Sequence, residues 1–144
     1  MKDDDMSLLP SIKVGLIAEA TEEVIPELTA PHIGSGSLSV YATPAMAALV
    51  EHTCAAMISK LLPEGHTSVG VEIHIRHLAP TPVNGVVRIR AEIVAVEKQK
   101  IYFAAKILDE LELVGEADHT RAVIEIDRFL KRVDAKVSKL SSTT

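Results

Sequence analysis

The period of two that sets in at Val69 constrains this chain more than any other feature. Val69, Val71, Ile73, Ile75 and His77 share one face of an extended segment, while Gly70, Glu72, His74 and Arg76 share the other. The turn "APTPVNG" leads to "VVRIRAEIVAVE", where Val87, Ile89, Ala91 and Ile93 alternate with Arg88, Arg90 and Glu92. "KIYFAAKIL" and "VGEADHTRAVIEI" follow, joined by "DELEL". Four half-buried strands separated by turns imply an antiparallel sheet with one face on a core and one in water. On the wet face Glu72, His74 and Arg76 are expected beside Arg88 and Arg90, where they can pair across strands.

One long apolar segment precedes the sheet. In "YATPAMAALVEHTCAAM", Thr43 followed by Pro44 predicts a helix start, the hydroxyl capping free N–H groups and the proline occupying the first helical position. The helix is expected to run to about Leu62, where "PEGH" ends it. Its small side chains, Ala45, Ala47, Ala48, Ala55 and Ala56, allow a sheet to approach closely on several sides. Ahead of it, Val14 to Ile25 reads as a first strand and "PELTAPHIGSGSLSVYAT" as a loop, with a short strand at Leu38 to Tyr41. Strand, helix, then four strands predicts an α+β chain with the hotdog fold, an antiparallel sheet of five or six strands curled around one long central helix. Residues 14–136 are expected to form a single domain, 1–13 a flexible N-terminus and 137–144 a flexible tail, with "KRVDAKVSKLSSTT" frayed or weakly helical.

Composition removes several function classes. Net charge is -5, and the 15 Lys and Arg residues are scattered, which argues against a nucleic-acid partner. The single cysteine, Cys54, excludes an internal disulfide framework and a Cys-based zinc site, and its place among Ala, Met and Ile points to core packing. No apolar run approaches the roughly 20 residues of a membrane span, and "MKDDDMSLLPS" is acidic where a signal peptide is basic. A cytoplasmic protein without a membrane partner is expected.

Three polar residues stand where the pattern asks for apolar or structural ones: Thr43, Glu51 and His77. Each has an ordinary reading, as helix cap, solvated helix residue and satisfied core histidine. Glu51, however, has Ala47, Cys54, Ala55 and Ile58 as helical neighbours, an apolar face on which a carboxylate is costly unless paired. Thr43 and Glu51 lie roughly 80° apart around the helix and about 12 Å along it, so they cannot touch directly. A substrate or water can bridge them, and His77 can reach the same cleft from this or a partner subunit. Hydroxyl, carboxylate and imidazole are the parts needed for acyl transfer or hydrolysis. A metal site is not expected: His74 and His77 point to opposite sheet faces, and Glu51 and His52 diverge by about 100°. "GSGS" lacks the lysine and the strand-to-helix setting of a phosphate loop.

Three segments, "YATPAMAALVEHTCAAM", "LPEGHTSVGVEIHIRHLAPTPVNG" and "HTRAVIEIDRF", resemble the fluoroacetyl-CoA thioesterase-like branch of the hotdog thioesterases, over about Val14 to Lys136. The resemblance implies a catalytic set of threonine, glutamate and histidine that falls on Thr43, Glu51 and His77. It also implies substrate contacts at Gly70, whose backbone would sit near the thioester carbonyl, and at Arg121, near the mouth. It implies hydrolysis of an acyl-CoA to acid and free CoA, with no cofactor or metal, in a homodimer; the helix itself, with small residues and Leu49, Val50, Met57 and Ile58 to limit depth, predicts a short or medium acyl group. The fluoroacetyl-specific enzyme carries a phenylalanine in a lid between first strand and central helix; "PELTAPHIGSGSLSV" has none, so that selectivity does not follow. The alternatives are an acyl-CoA-binding or sensing module that keeps the fold without turnover, and a hydratase, whose Asp and His motif is absent.

Overall fold

The computed structural model describes residues 9–142. Its elements are β1 (Ile17–Glu23), a short 3-10 turn (Pro26–Leu28), α1 (Ala30–Ile33), α2 (Thr43–Ser59), β2 (His66–His77), β3 (Val86–Glu97), β4 (Lys100–Leu108), β5 (Leu113–Glu125) and α3 (Ile126–Ser142). The strands form one five-stranded antiparallel sheet in the order β1-β3-β4-β5-β2. It packs around α2, which is the hotdog arrangement expected from the order of periodicities.

The core lies between α2 and one face of the sheet. Met46, Val50, Cys54 and Ile58 are wholly buried, facing Val87, Ile89, Ala91 and Ile93 of β3 and Ile101 and Ile107 of β4. Each such large aliphatic side chain contributes about 1.5–3 kcal/mol by leaving water. Gly115 of β5 admits the helix closely, since a Cβ there would run into Met46 Sδ. That close approach seats the N-terminal end of α2 against the end of β2.

Several expectations need correction. β2 and β3 are not neighbours but stand on opposite sides of β4 and β5. Arg76 therefore pairs with Glu116 of β5 at 2.9 Å, and Arg90 with Glu19 of β1 at 3.8 Å. The first strand begins at Ile17 rather than Val14, although packing begins earlier: Leu9 and Ile12 are buried, beside Val96 and Tyr102 at one end of the sheet. Leu38 to Tyr41 forms only isolated bridges, Thr29 with Tyr41 and Val40 with Pro82. The segment expected to be frayed or weakly helical continues one helix to Ser142, because Ile126, Phe129, Leu130, Val133, Val137 and Leu140 recur three and four residues apart. That apolar row is exposed in the single chain.

The largest correction concerns β2. The register slips between Gly70 and Glu72, so Val71 is an extra residue in a β-bulge. Gly70 pairs with Arg121 and Ile73 with His119, two β5 residues on the same side of the sheet. Gly70 thus shares the helix-facing side with Ile73, Ile75 and His77, and Val71 is 52% exposed. A strict period of two assigns both residues to the wrong face.

Candidate active site

Thr43 is the first residue of α2 rather than its cap; Ala42 holds the cap position, without a side-chain hydrogen bond. The hydroxyl is instead 2.7 Å from His77 Nδ1. His77 is half-buried at the end of β2, with the Tyr41 ring edge-on at 6.4 Å between centroids. The Tyr41 hydroxyl donates to Glu22 Oε2 at 2.5 Å, and burial and that carboxylate both raise its pKa, so it stays protonated. Burial lowers the His77 pKa below the ordinary histidine value, partly offset by the Ala79 backbone. His77 Nε2 is buried and has no hydrogen-bond partner among the described residues. An open cleft of about 310 Å³ lies here, lined by Val40, Thr43, His77, Leu78, Ala79 and Pro80.

Two turns along α2, Glu51 sits over the bulge. Its expected burial is not observed: the side chain is 47% exposed in the single chain. The buried side of α2 is formed by Ala45, Met46, Leu49, Val50, Thr53, Cys54 and Ile58, and Glu51 falls at its edge, beside the one position of β2 that has no side chain. A Cβ on Gly70 would collide with Glu51 Oε2 and lie 3.5 Å from both Arg121 Nη1 and His119 Cε1. Glycine at 70 is what lets the carboxylate approach the strand backbone.

Arg121, expected near the mouth, is instead 8% exposed. Its Nε donates to Ser68 Oγ at 2.8 Å and its Nη2 to the Ser68 carbonyl at 3.2 Å. Nη1 is 3.1 Å from His119 Nε2 and 4.0 Å from Glu51 Oε2. Burial lowers the Arg121 pKa and Glu51 opposes this, leaving a guanidinium that remains charged.

The structure therefore brings the five expected residues together as two groups. Thr43 and His77 form one, and Glu51, Gly70 and Arg121 the other, about 12 Å further along the helix. Tyr41, Ser68 and His119 are partners that sequence reasoning missed. For His119 a signal was present, since it alternates in phase with Ala117, Arg121 and Val123 and must share their face. Cys54 is buried, with its thiol pushed up to about 12 by burial, which leaves it a packing residue. Among the described residues no group of three His, Cys, Asp or Glu is placed to hold a metal ion.

A five-stranded antiparallel sheet wrapped around one long helix defines the hotdog class, and its relatives place this chain among the thioester hydrolases of that class. Residues 24–127 match the family model described as fluoroacetyl-CoA-specific thioesterase. The chain belongs to that family of acyl-CoA thioesterases. The fluoroacetyl-CoA thioesterase of Streptantibioticus cattleyicolor is 32% identical over 97 residues, which is 67% of this chain and 70% of that one. A solved structure of a fluoroacetyl-CoA thioesterase superposes with a TM-score of 0.82 at 28% identity, covering 88% of this chain and 98% of the other. A hot-dog-like protein from Thermanaerovibrio acidaminovorans superposes with a TM-score of 0.83 at 24% identity, over 93% and 97% of the two chains, and shares the fold.

Proposed function

We propose that this enzyme hydrolyses a short or medium acyl-CoA to the carboxylic acid and free CoA, with Thr43, Glu51 and His77 as the catalytic set. The observation that carries the reading is the Glu51 carboxylate against Gly70, where a missing side chain at a main-chain bulge lets the carboxylate reach the strand backbone. The carboxylate either attacks the carbonyl carbon, expelling CoA thiolate and leaving an anhydride that water hydrolyses, or takes a proton from the attacking water. Glu51 and His77 of one chain stand about 12 Å apart, so the proton that the departing sulfur needs would come from His77 of a second copy, its ring oriented by Thr43. The bulge leaves Val71 without a register partner on β5, and a main-chain N–H at this break in the ladder can stabilise the oxyanion. Arg121 holds a positive charge 4.0 Å from Glu51 Oε2.

Substrate size follows from the helix. Leu49, Val50 and Ile58, expected to limit depth, face the core instead, so the preference for short or medium acyl groups rests on the small alanines beside Glu51. The loop between β1 and α2 has no phenylalanine, so acyl groups other than fluoroacetyl are included. A homodimer is part of the proposal. Ala48 is exposed and Ala55 half-buried on the same side of α2 as Glu51, an apolar strip that a second copy would cover, closing the cleft. No helix among the described residues is long and apolar enough to cross a membrane, and a cytoplasmic location fits the single buried thiol.

Thiol release measured across acyl-CoAs from acetyl to palmitoyl and benzoyl tests the reading. Turnover greatest for short or medium chains supports it; palmitoyl-CoA faster than every short substrate contradicts the size assignment, and no release from any of them contradicts the activity.

A further inference from the structure

His119 is 3% exposed and both its nitrogens are engaged. Nδ1 is 2.8 Å from the carbonyl of Glu72, the residue that resumes the ladder after the bulge. Nε2 is 3.1 Å from Arg121 Nη1. A carbonyl only accepts and a guanidinium only donates, so the two contacts are compatible with a single state of the ring: neutral, protonated at Nδ1, accepting at Nε2. The ring stacks on Phe103, with centroids 6.0 Å apart and planes at 27°, which fixes its tilt.

This arrangement governs where Arg121 points. Ser68 holds Nε and Nη2, and His119 takes one N–H of Nη1, so the second N–H of that nitrogen remains for Glu51 Oε2. We propose that His119 is a positioning residue for thioester hydrolysis: as the neutral Nδ1–H tautomer braced on the bulge carbonyl, it aims Arg121 at Glu51. The inference rests on the catalytic reading of Glu51 above. Protonation of His119 would turn its accepting nitrogen into a donor facing a cation and release the guanidinium. The groups around the ring are few. α2 contributes Glu51, β4 the apolar Phe103, β2 the Glu72 carbonyl and β5 Arg121, while Ser68 and the neutral thiol of Cys54 face Arg121. Burial and Arg121 disfavour the imidazolium, while Glu51 and the Glu72 carbonyl favour it, with a net lowering of the pKa.

Two measurements test the assignment together. ¹⁵N NMR of the histidine rings at pH 7 should show His119 neutral and protonated at Nδ1; an Nε2-protonated or doubly protonated ring overturns the proposal whether or not the enzyme turns over. In kinetics, His119→Leu should lower kcat by about tenfold or more, because a catalytic group displaced by about 1 Å can lose 10²-fold. KM should stay close to the parent value. His119→Gln supplies a donor and an acceptor at comparable positions and should recover most of kcat, with a flatter acid limb in the pH profile. In an Arg121→Met background, His119→Leu should cause no further loss, since its effect passes through Arg121. A fully active His119→Leu enzyme, an unrescued His119→Gln enzyme that is folded, or losses that multiply in the double variant would each contradict it. If the parent enzyme releases no thiol from any acyl-CoA, the catalytic reading fails by itself, and the NMR tautomer still decides the His119–Arg121 arrangement.

Discussion

The Thr43 hydroxyl and His77 Nδ1 meet at 2.7 Å, across 34 residues of sequence, although threonine followed by proline at a helix start ordinarily signals a cap. Ala42 occupies the cap position without supplying a side-chain bond, so α2 forgoes a contribution of about 1 kcal/mol that a polar cap would give. The hydroxyl is used on His77 instead. Thr43→Val should lower kcat by about 10-fold or more through loss of that orientation, while Thr43→Ser retains most of it. Thermal stability should change little in either. Acyl-CoA hydrolysis and melting temperature on the three proteins check this.

Gly70 should not tolerate a methyl group. A Cβ there enters the space of Glu51 Oε2, which must then move off the strand. Because Glu51 is half exposed, it can swing away at little cost to folding. Gly70→Ala should therefore reduce kcat/KM by at least about tenfold while the folded fraction stays near that of the parent. Circular dichroism beside steady-state kinetics distinguishes this from a folding defect.

Stability should decline toward acid pH. His77 and His119 both have pKa values lowered from 6.5, so around and below that value the unfolded chain binds more protons than the native one. The stabilisation from keeping both rings neutral is present above pH 6.5 and is lost as pH falls through the two native pKa values. Urea midpoints measured from pH 8 to pH 5 should fall, and His119→Gln should flatten part of that slope. A midpoint that rises toward pH 5 would contradict the neutral assignments.

Cys54 should behave as core. A buried thiol pushed up to about 12 carries almost no thiolate at neutral pH, so a disulfide reagent should label it only in denaturant. Rapid labelling of the native protein would show that the environment of α2 is more open than described.

Element types were largely legible in the sequence because burial writes its period into the chain: the alternation in β3, "VVRIRAEIVAVE", matches its observed in-and-out pattern. The bulge at Val71 was not legible, since Val69, Val71 and Ile73 alternate without a break and only pairing with Arg121 and His119 reveals the extra residue. Gly70 consequently reads as outward facing until the register is known. Glu51 was misread in the other direction. Its helical neighbours are apolar, yet a single sheet covers only one side of α2, and the alanines on the other side stay open. The strand order also escaped the sequence, because alternation identifies strands without saying which edges meet.

Glu51 is the center of the account, and its exposure makes the decisive test cleaner. An ion pair with one partner half exposed contributes about 0–1 kcal/mol, so Glu51→Gln should shift the melting temperature by no more than about 4 °C. Loss of the carboxylate as nucleophile or base should lower turnover by about 10² or more. Melting temperature and acyl-CoA hydrolysis measured on one Glu51→Gln preparation therefore test the claim directly. A well-folded protein with turnover reduced a hundredfold is the predicted result; near-parental turnover in that same folded variant would contradict the catalytic assignment.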